Sequence, residues 1–209
     1  LASMTQYGEQ VNPITLALDM GASYLQKFNA MLCTSASSAT TIKGSTTAAF
    51  SLDTLFDGIY SLEASDSGAG ASTPYLAVLH GQALGELQDS IRSESGNSLA
   101  YNPATAEMLK AKPSGFVGSI LGTDIIKTKH VADDGTAYHN FITARGGIAY
   151  GHGAPNIVGA AEVMQLADAK CVVEFDRSSE EALSKIVGHA YMGCAIVDQG
   201  RIAMLKSKV

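Results

Sequence analysis

Five histidines carry the most versatile chemistry in this chain: His80, His130, His139, His152 and His189. None is paired at the i,i+4 spacing, with a carboxylate between, that a zinc hydrolase needs, and Cys33, Cys171 and Cys194 are too widely spaced to form a zinc-binding pair. His80 follows the apolar run Tyr75–Leu79 and precedes a helical pattern, a place from which an imidazole can act as a general base. The plainer role there is a turn residue bonding backbone. Gly151-His152-Gly153 looks like half a phosphate loop, but Asn156 stands where a dinucleotide fingerprint requires Gly, and Pro155 interrupts the helix start such a loop needs. Asp133–Asp134 and Glu180–Glu181 are paired carboxylates, as acid–base catalysis requires, yet both pairs fall in polar breaks where solvated charge is the simpler account. There is no Gly-x-Ser-x-Gly elbow and no Walker motif. Each cysteine lies beside apolar neighbours, which suits packing better than nucleophilic duty. The residues therefore assign no catalytic, cofactor-binding or metal-ligating site.

The elements that would have to position such groups belong to a chain of 209 residues, enough for one large domain or two small ones sharing a sheet. Net charge is −6, with no basic block to suggest nucleic-acid affinity and no acidic tail. An odd, dispersed set of three cysteines is not a disulfide framework and points to synthesis in a reducing compartment. No apolar run reaches the length of a membrane span. Leu1-Ala2-Ser3-Met4 has neither the basic nor the apolar region of a signal peptide.

Asn12-Pro13 is a strong helix opening, cap followed by first-turn proline. Ile14, Leu18, Gly21, Leu25, Phe28 and Leu32 then form one apolar stripe, with Asp19 and Lys27 its only charges. A helix so poorly charged should be covered on more than one side. Cys33 to Ala49 is mostly Ser, Thr and Ala and reads as a surface loop or loose hairpin. Ser51 caps a second helix, with Phe50 and Leu55 as a hydrophobic staple and Leu52, Leu55, Phe56, Ile59 and Leu62 as its apolar face. After a Gly/Ser/Ala loop from Ala64 to Thr73, Tyr75–Leu79 is a buried strand. A third helix follows, with Leu84, Leu87 and Ile91 inward and Glu86, Asp89, Arg92 and Glu94 in water. This is an α/β layer.

Farther on, Ala104 to Lys110 forms one or two helical turns, and Asp133-Asp134-Gly135-Thr136 is a hairpin tip, from which Phe141–Ala144 would return antiparallel to Asp124–His130. Gly146-Gly147 breaks the chain before Ile148–Tyr150, and Val158 to Ala169 reads as a helix. The stretch Lys170 to Lys206 looks like the organiser: three apolar runs separated by short polar breaks, read as antiparallel strands. Its middle run, Ser184 to Val197, is apolar or small on both alternating faces, as in a strand covered on both sides. Glu180 to Tyr191 also fits a helix, with Leu183, Ile186, Val187 and Ala190 at helical spacing.

The order of these elements resembles the major capsid proteins of tailed bacteriophages, the Hong Kong 97-type fold. The resemblance rests on the long, weakly charged helix, on Ile59-Tyr60-Ser61-Leu62-Glu63, and on Ala71 to His80 running into Gln82–Asp89. Leu121–Ile126 sits where that family has an apolar strand, and Val172–Asp176 with Arg177–Val197 and Ile202–Leu205 where it has terminal strands. His80 is followed by Gly81, where many relatives have Pro. The resemblance implies an α+β fold: a peripheral domain of spine helix (Asn12 to Leu32) and long antiparallel strands, and an α/β axial domain. The implied division is 1–48 peripheral with its loop, 49–160 axial, and 161–209 peripheral terminal strands.

It further implies a structural protein and not an enzyme: a virion subunit that self-assembles as hexamers and pentamers into an icosahedral shell around packaged double-stranded DNA, which it contacts non-specifically. No cofactor or membrane is implied. Portal and decoration proteins are the expected further partners, and the host cytoplasm the place of assembly. Two other readings stay open, an encapsulin-type nanocompartment shell around an enzyme cargo and an α/β enzyme using His80 or His152. The family's N-terminal arm and extended loop precede its spine helix, and here the spine-like helix begins at Asn12. A substantial upstream segment is therefore expected. Intact subunit mass from assembled particles, with the reading frame followed upstream of Leu1, tests this; an initiator codon directly before Leu1 in particles that still close would refute it.

Overall fold

The computed structural model describes residues 13–65, 74–93, 101–112, 114–153, 162–166, 171–178 and 183–209. The chain forms two compact units, one made of residues 32–149 and 194–209, the other of 1–31 and 150–193. The helix α1 (Pro13–Ala36) contributes to both. Asn12, the expected cap, lies outside the described residues, as do Glu180 and Glu181. Within the described residues, no helix is long and apolar enough to cross a membrane.

The larger unit is built on a seven-stranded sheet in the order β1-β12-β6-β2-β5-β4-β3. These strands are β1 (Ile42–Gly44), β2 (Tyr75–Leu79), β3 (Tyr101–Pro103), β4 (Phe116–Ile120), β5 (Thr123–Lys127), β6 (Ala137–Thr143) and β12 (Ile202–Lys208). β1 with β12 and β2 with β5 run parallel; the other neighbours are antiparallel. Alternation along the strands sends side chains to two cores. Tyr75, Ala77 and Leu79 of β2, Ile142 of β6, and Ala203 and Leu205 of β12 enter the first, beneath helices α2 (Leu52–Glu63) and α3 (Gly81–Ser93). Val78, Phe141, Ile202 and Met204 enter the second, with Cys33 and Ala36 from the end of α1. A short helix, α4 (Ala106–Ala111), starts at Thr105, whose hydroxyl accepts from the Met108 N–H.

The capping and staple reading of α2 holds. The Ser51 hydroxyl accepts from the Thr54 N–H at 3.2 Å, and Phe50, Leu52, Leu55, Ile59 and Leu62 are buried. α3 buries Leu84, Leu87 and Ile91 as its spacing indicates. Glu86 does not stay in water: its carboxylate accepts the Phe50 N–H at 2.6 Å, tying the start of α2 to α3. Gly58 is where α2 lies closest to the sheet. A Cβ there would meet Leu205 Cδ2 at 2.8 Å and Ile142 Cγ2 at 3.0 Å.

Several expectations are overturned. α1 continues to Ala36, through residues read as loop, because Cys33 and Ala36 are small enough to close on the second core. Ile42–Gly44, also read as loop, adds a parallel edge to β12. Leu121 and Gly122 do not begin a strand: they are the tip between β4 and β5, with φ of 46° and 76°, and Leu121 is exposed. The Asp133–Thr136 turn is closed by the Asp134 N–H donating to the Ala137 carbonyl at 3.2 Å and the His139 N–H to the Ala132 carbonyl at 2.8 Å, with an isolated bridge between Asp133 and Tyr138 and no longer ladder. β6 beyond it pairs with β12 and β2, and β2 separates it from β5. The run Ile202–Leu205, grouped with the terminal strands, lies inside this large sheet.

The smaller unit contains the first part of α1, the three-stranded antiparallel sheet β10-β9-β8, and part of the ribbon formed by β7 (Ile148–Gly153) and β11 (Tyr191–Ile196). β8 is Glu162–Leu166, β9 Cys171–Ser178 and β10 Leu183–His189. The Val158–Ala169 helix is thus replaced at its centre by a strand, whose pairing with β9 from Glu162↔Phe175 to Leu166↔Cys171 outweighs local spacing. The helical alternative for Glu180–Tyr191 is likewise replaced by β10. The expected single strand Ser184–Val197 is two strands parted at Ala190, and Val187 and Tyr191 are exposed where both faces were expected to be covered. On α1, Gly21 and Tyr24 are buried and Phe28 half-buried, but Leu18 and Leu25 of the stripe are exposed, at 57% and 46%. The buried line is therefore turned from the one the spacing indicated.

Two side chains of the larger core give contrasting expected outcomes. Phe50 is 1% exposed, so Phe50→Ala should destabilise the chain by about 3–5 kcal/mol. Tyr75 and Thr123 are register partners whose buried hydroxyls find no hydrogen-bond partner among the described residues. Tyr75→Phe removes an unsatisfied group and should leave the melting midpoint unchanged or raise it. Denaturant melts of both variants check this; a lowered midpoint for Tyr75→Phe would mean that the hydroxyl has a partner.

Candidate functional site

His80 closes β2 and opens α3, where the sequence placed it. Its backbone N–H donates to the side-chain oxygen of Asn140 at 2.7 Å, and its Nδ1 accepts from the Gln82 N–H at 3.3 Å. Its ring stacks on Tyr138, with centroids 3.9 Å apart. Burial pulls its pKa down, Asp133 opposes that shift and Lys127 adds to it. The imidazole is thus engaged as a helix-start residue, the plainer of its two readings.

Beneath it lies the polar hub of the larger unit. Asn140 is fully buried, and its amide nitrogen donates to the Leu205 carbonyl at 3.3 Å and to the Ser207 hydroxyl at 3.2 Å. One side chain joins the end of β2, the middle of β6 and the end of β12. Nothing in the local sequence Tyr138-His139-Asn140-Phe141-Ile142 marks Asn140 as a buried polar bridge.

The Asp133–Asp134 pair does not act together. Asp134 accepts from the Thr136 hydroxyl at 2.6 Å and from the Thr136 and Ala137 N–H groups at 3.0 and 2.8 Å. His139 Nε2 lies 3.1 Å from its other oxygen and Lys206 Nζ 3.8 Å away. These bonds, the Thr136 hydroxyl first, hold its carboxyl well below the usual carboxylate range. The carboxylate locks a turn. Asp133 Oδ1 accepts from the Gly135 N–H at 3.2 Å.

His152 lies in the other unit, exposed on β7, with its ring stacked near Tyr150 at 6.2 Å. Gly151-His152-Gly153 is strand and not a loop, so the phosphate-loop geometry is absent there. His189 pairs with Glu174 at 3.0 Å across β10 and β9. The backbone N–H of His130 donates to the Thr128 hydroxyl. His80 and His152, the two candidates for an enzyme site, fall in different units. Among the described residues no group of His, Cys, Asp and Glu could hold a metal ion. Among the described residues the smaller unit has a shallow groove, lined by Met20, Ser23, Tyr24, Lys27 and Met192 beside Gly188 and Ala190. It presents thioether and aromatic surface, one hydroxyl and one ammonium.

A long helix, a strand-rich unit and a mixed sheet backed by two helices together make the Hong Kong 97-type capsid fold, of α+β class. No family model and no curated protein matches the sequence. Solved structures do match. A chain from Mycobacterium phage Che8 superimposes with a TM-score of 0.62 at 16% identity, over 97% of this chain and 65% of that one. The SrpI encapsulin of Synechococcus elongatus, solved as a holo complex, gives a TM-score of 0.53 at 16% identity, over 78% of this chain and 51% of the encapsulin. This chain spans less than two thirds of the length of either.

The Asp134 turn gives a pH expectation. Its folded pKa is lower than its unfolded value, so its contribution is fully present above the unfolded carboxylate value, about 4, and is lost as pH falls below it. Asp134→Asn should therefore lower stability at neutral pH and flatten its decline between about pH 5 and 3. Melts across that range check it; an acid limb as steep as wild type would exclude Asp134 as its source.

Proposed function

We propose that this chain is a major capsid protein, the structural subunit of an icosahedral shell that encloses packaged viral double-stranded DNA. The observation that carries the reading is the fold, matched over 97% of the chain by a phage protein. On this reading the subunit self-assembles as hexamers and pentamers in the host cytoplasm and remains in the virion. Portal and decoration proteins are its further partners, and DNA is contacted without sequence preference. The division into a peripheral domain (1–48 and 161–209) and an axial domain (49–160) is part of the same proposal.

The side chains support an assembling role over catalysis. Leu18, Leu25, Val187 and Tyr191 of the smaller unit are exposed, and so are Tyr60, Leu121 and Val197 of the larger. On the capsid reading these positions are the ones open to subunit contact. The imidazoles of His80, His139 and His189 are engaged in a turn and in contacts with carboxylates, and that of His152 stacks near Tyr150. An α/β enzyme using His80 or His152 would need a nucleophile or acid–base partner beside one of them, and His80 is bonded to the Gln82 N–H while His152 is exposed beside Tyr150.

A second reading, a nanocompartment shell around an enzyme cargo, is supported by the likeness to the encapsulin. Negative-stain microscopy of the purified protein, with nuclease treatment and the ratio of absorbance at nucleic-acid and protein wavelengths, separates the readings. Closed particles with nuclease-protected DNA are expected. Particles holding protein would select the nanocompartment, and a small soluble oligomer would refute both.

A further inference from the structure

The end of α1 and the strand β11 carry two free cysteines, Cys33 and Cys194. Both stand in the larger unit, close to the points where the chain enters it after Met31 and after Gly193. Cys33 is 3% exposed, in the second core. β11 alternates exposed and half-buried residues, and Met192, Cys194 and Ile196 share the half-buried face. Ile196 packs against the same core cluster that contains Cys33. A side chain of α1 also reaches β11 here: the Ser35 hydroxyl, two residues beyond Cys33, donates to the Cys194 carbonyl at 3.1 Å. Burial first, and then the charge of Cys194, push the Cys33 thiol up to about 11.

We propose that Cys33 and Cys194 are a redox-responsive pair, which closes to a disulfide between the end of α1 and β11 on reaction with a low-molecular-weight disulfide. The order of steps follows from exposure. Cys194, the more accessible thiol, loses its proton and its thiolate attacks one sulfur of the small disulfide. That bond breaks, one small thiolate leaves, and a mixed disulfide remains on Cys194. Cys33 then loses its proton and attacks the Cys194 sulfur. The intramolecular S–S bond forms as the second small thiolate departs. The protein gives up two electrons and two protons, and the small disulfide becomes two thiols. The raised pKa of Cys33 makes the second step the slow one near neutrality and quickens it as pH rises. Because the bond would join positions so far apart in sequence, it would constrain the unfolded chain strongly.

The full chain is incubated with oxidised glutathione at mildly alkaline pH, alkylated, digested without reduction and mapped by mass. A linked peptide pair bearing Cys33 and Cys194 is expected, with loss of two of the three thiols and their return on adding dithiothreitol. Cys171→Ser should leave that pair intact, and Cys33→Ser should halt the reaction at a glutathione adduct on Cys194. In the wild-type chain, a persistent adduct on Cys194 with Cys33 still free would overturn the proposal. So would a bond from either residue to Cys171, or linkage only between chains. The wild-type map decides even if a variant fails to fold.

Discussion

The insertion of β12 between β1 and β6 is the interaction on which the larger unit depends. Ile202 and Met204 complete one core, Ala203 and Leu205 the other, and the Leu205 carbonyl and Ser207 hydroxyl receive the amide of Asn140. Without β12 the sheet would lose its bridge to β1, α2 would lose the Leu205 contact at Gly58, and Asn140 would be buried with two donors unsatisfied. Leaving such an amide unpaired costs about 1–3 kcal/mol beyond the lost packing. The polar hub thus also specifies register: a slip of β12 by one residue would exchange its two apolar faces and misalign both acceptors.

Elements whose reason is local were legible in the sequence. Ser51 with its staple, the apolar faces of α2 and α3, and the buried strand Tyr75–Leu79 follow from capping chemistry and period, and the element order was enough for the resemblance to the capsid fold. What failed was pairing between distant segments. Asp-Gly at 134–135 marks a turn, but a turn does not say that β2 will lie between the strands on either side of it. Nothing in Glu162–Leu166 distinguishes a helix from an edge strand until β9 is beside it. The partial departure of the α1 stripe has the same origin: Gly21 is buried as its spacing indicates, but Tyr24 is buried in place of Leu18 and Leu25.

The candidate site was legible chiefly through the motifs it lacked. His80 has the turn role read from its position, whereas Asn140 and Glu86 escaped notice because each looks ordinary outside its three-dimensional setting. Glu86 accepts a backbone N–H at the mouth of α2, and Asn140 bridges three strands' worth of backbone; neither has a motif. Both are structural, in keeping with a protein whose proposed work is done by surfaces. On the capsid reading, exposed Leu18, Leu25 and Tyr191 are open to contact with neighbouring subunits.

The order in which these parts are encoded has a consequence for synthesis. β12 follows every other strand of the larger sheet in sequence, yet it lies between β1 and β6, and the smaller unit joins residues 1–31 to residues 150–193. A nascent chain still lacking β12 has neither core of the larger unit complete. Such long-range closure is slow relative to local helix formation. On the shell reading, ribosome-bound fragments that stop short of β12 would be excluded from growing particles by topology alone, so that entry into the lattice requires translation through β12.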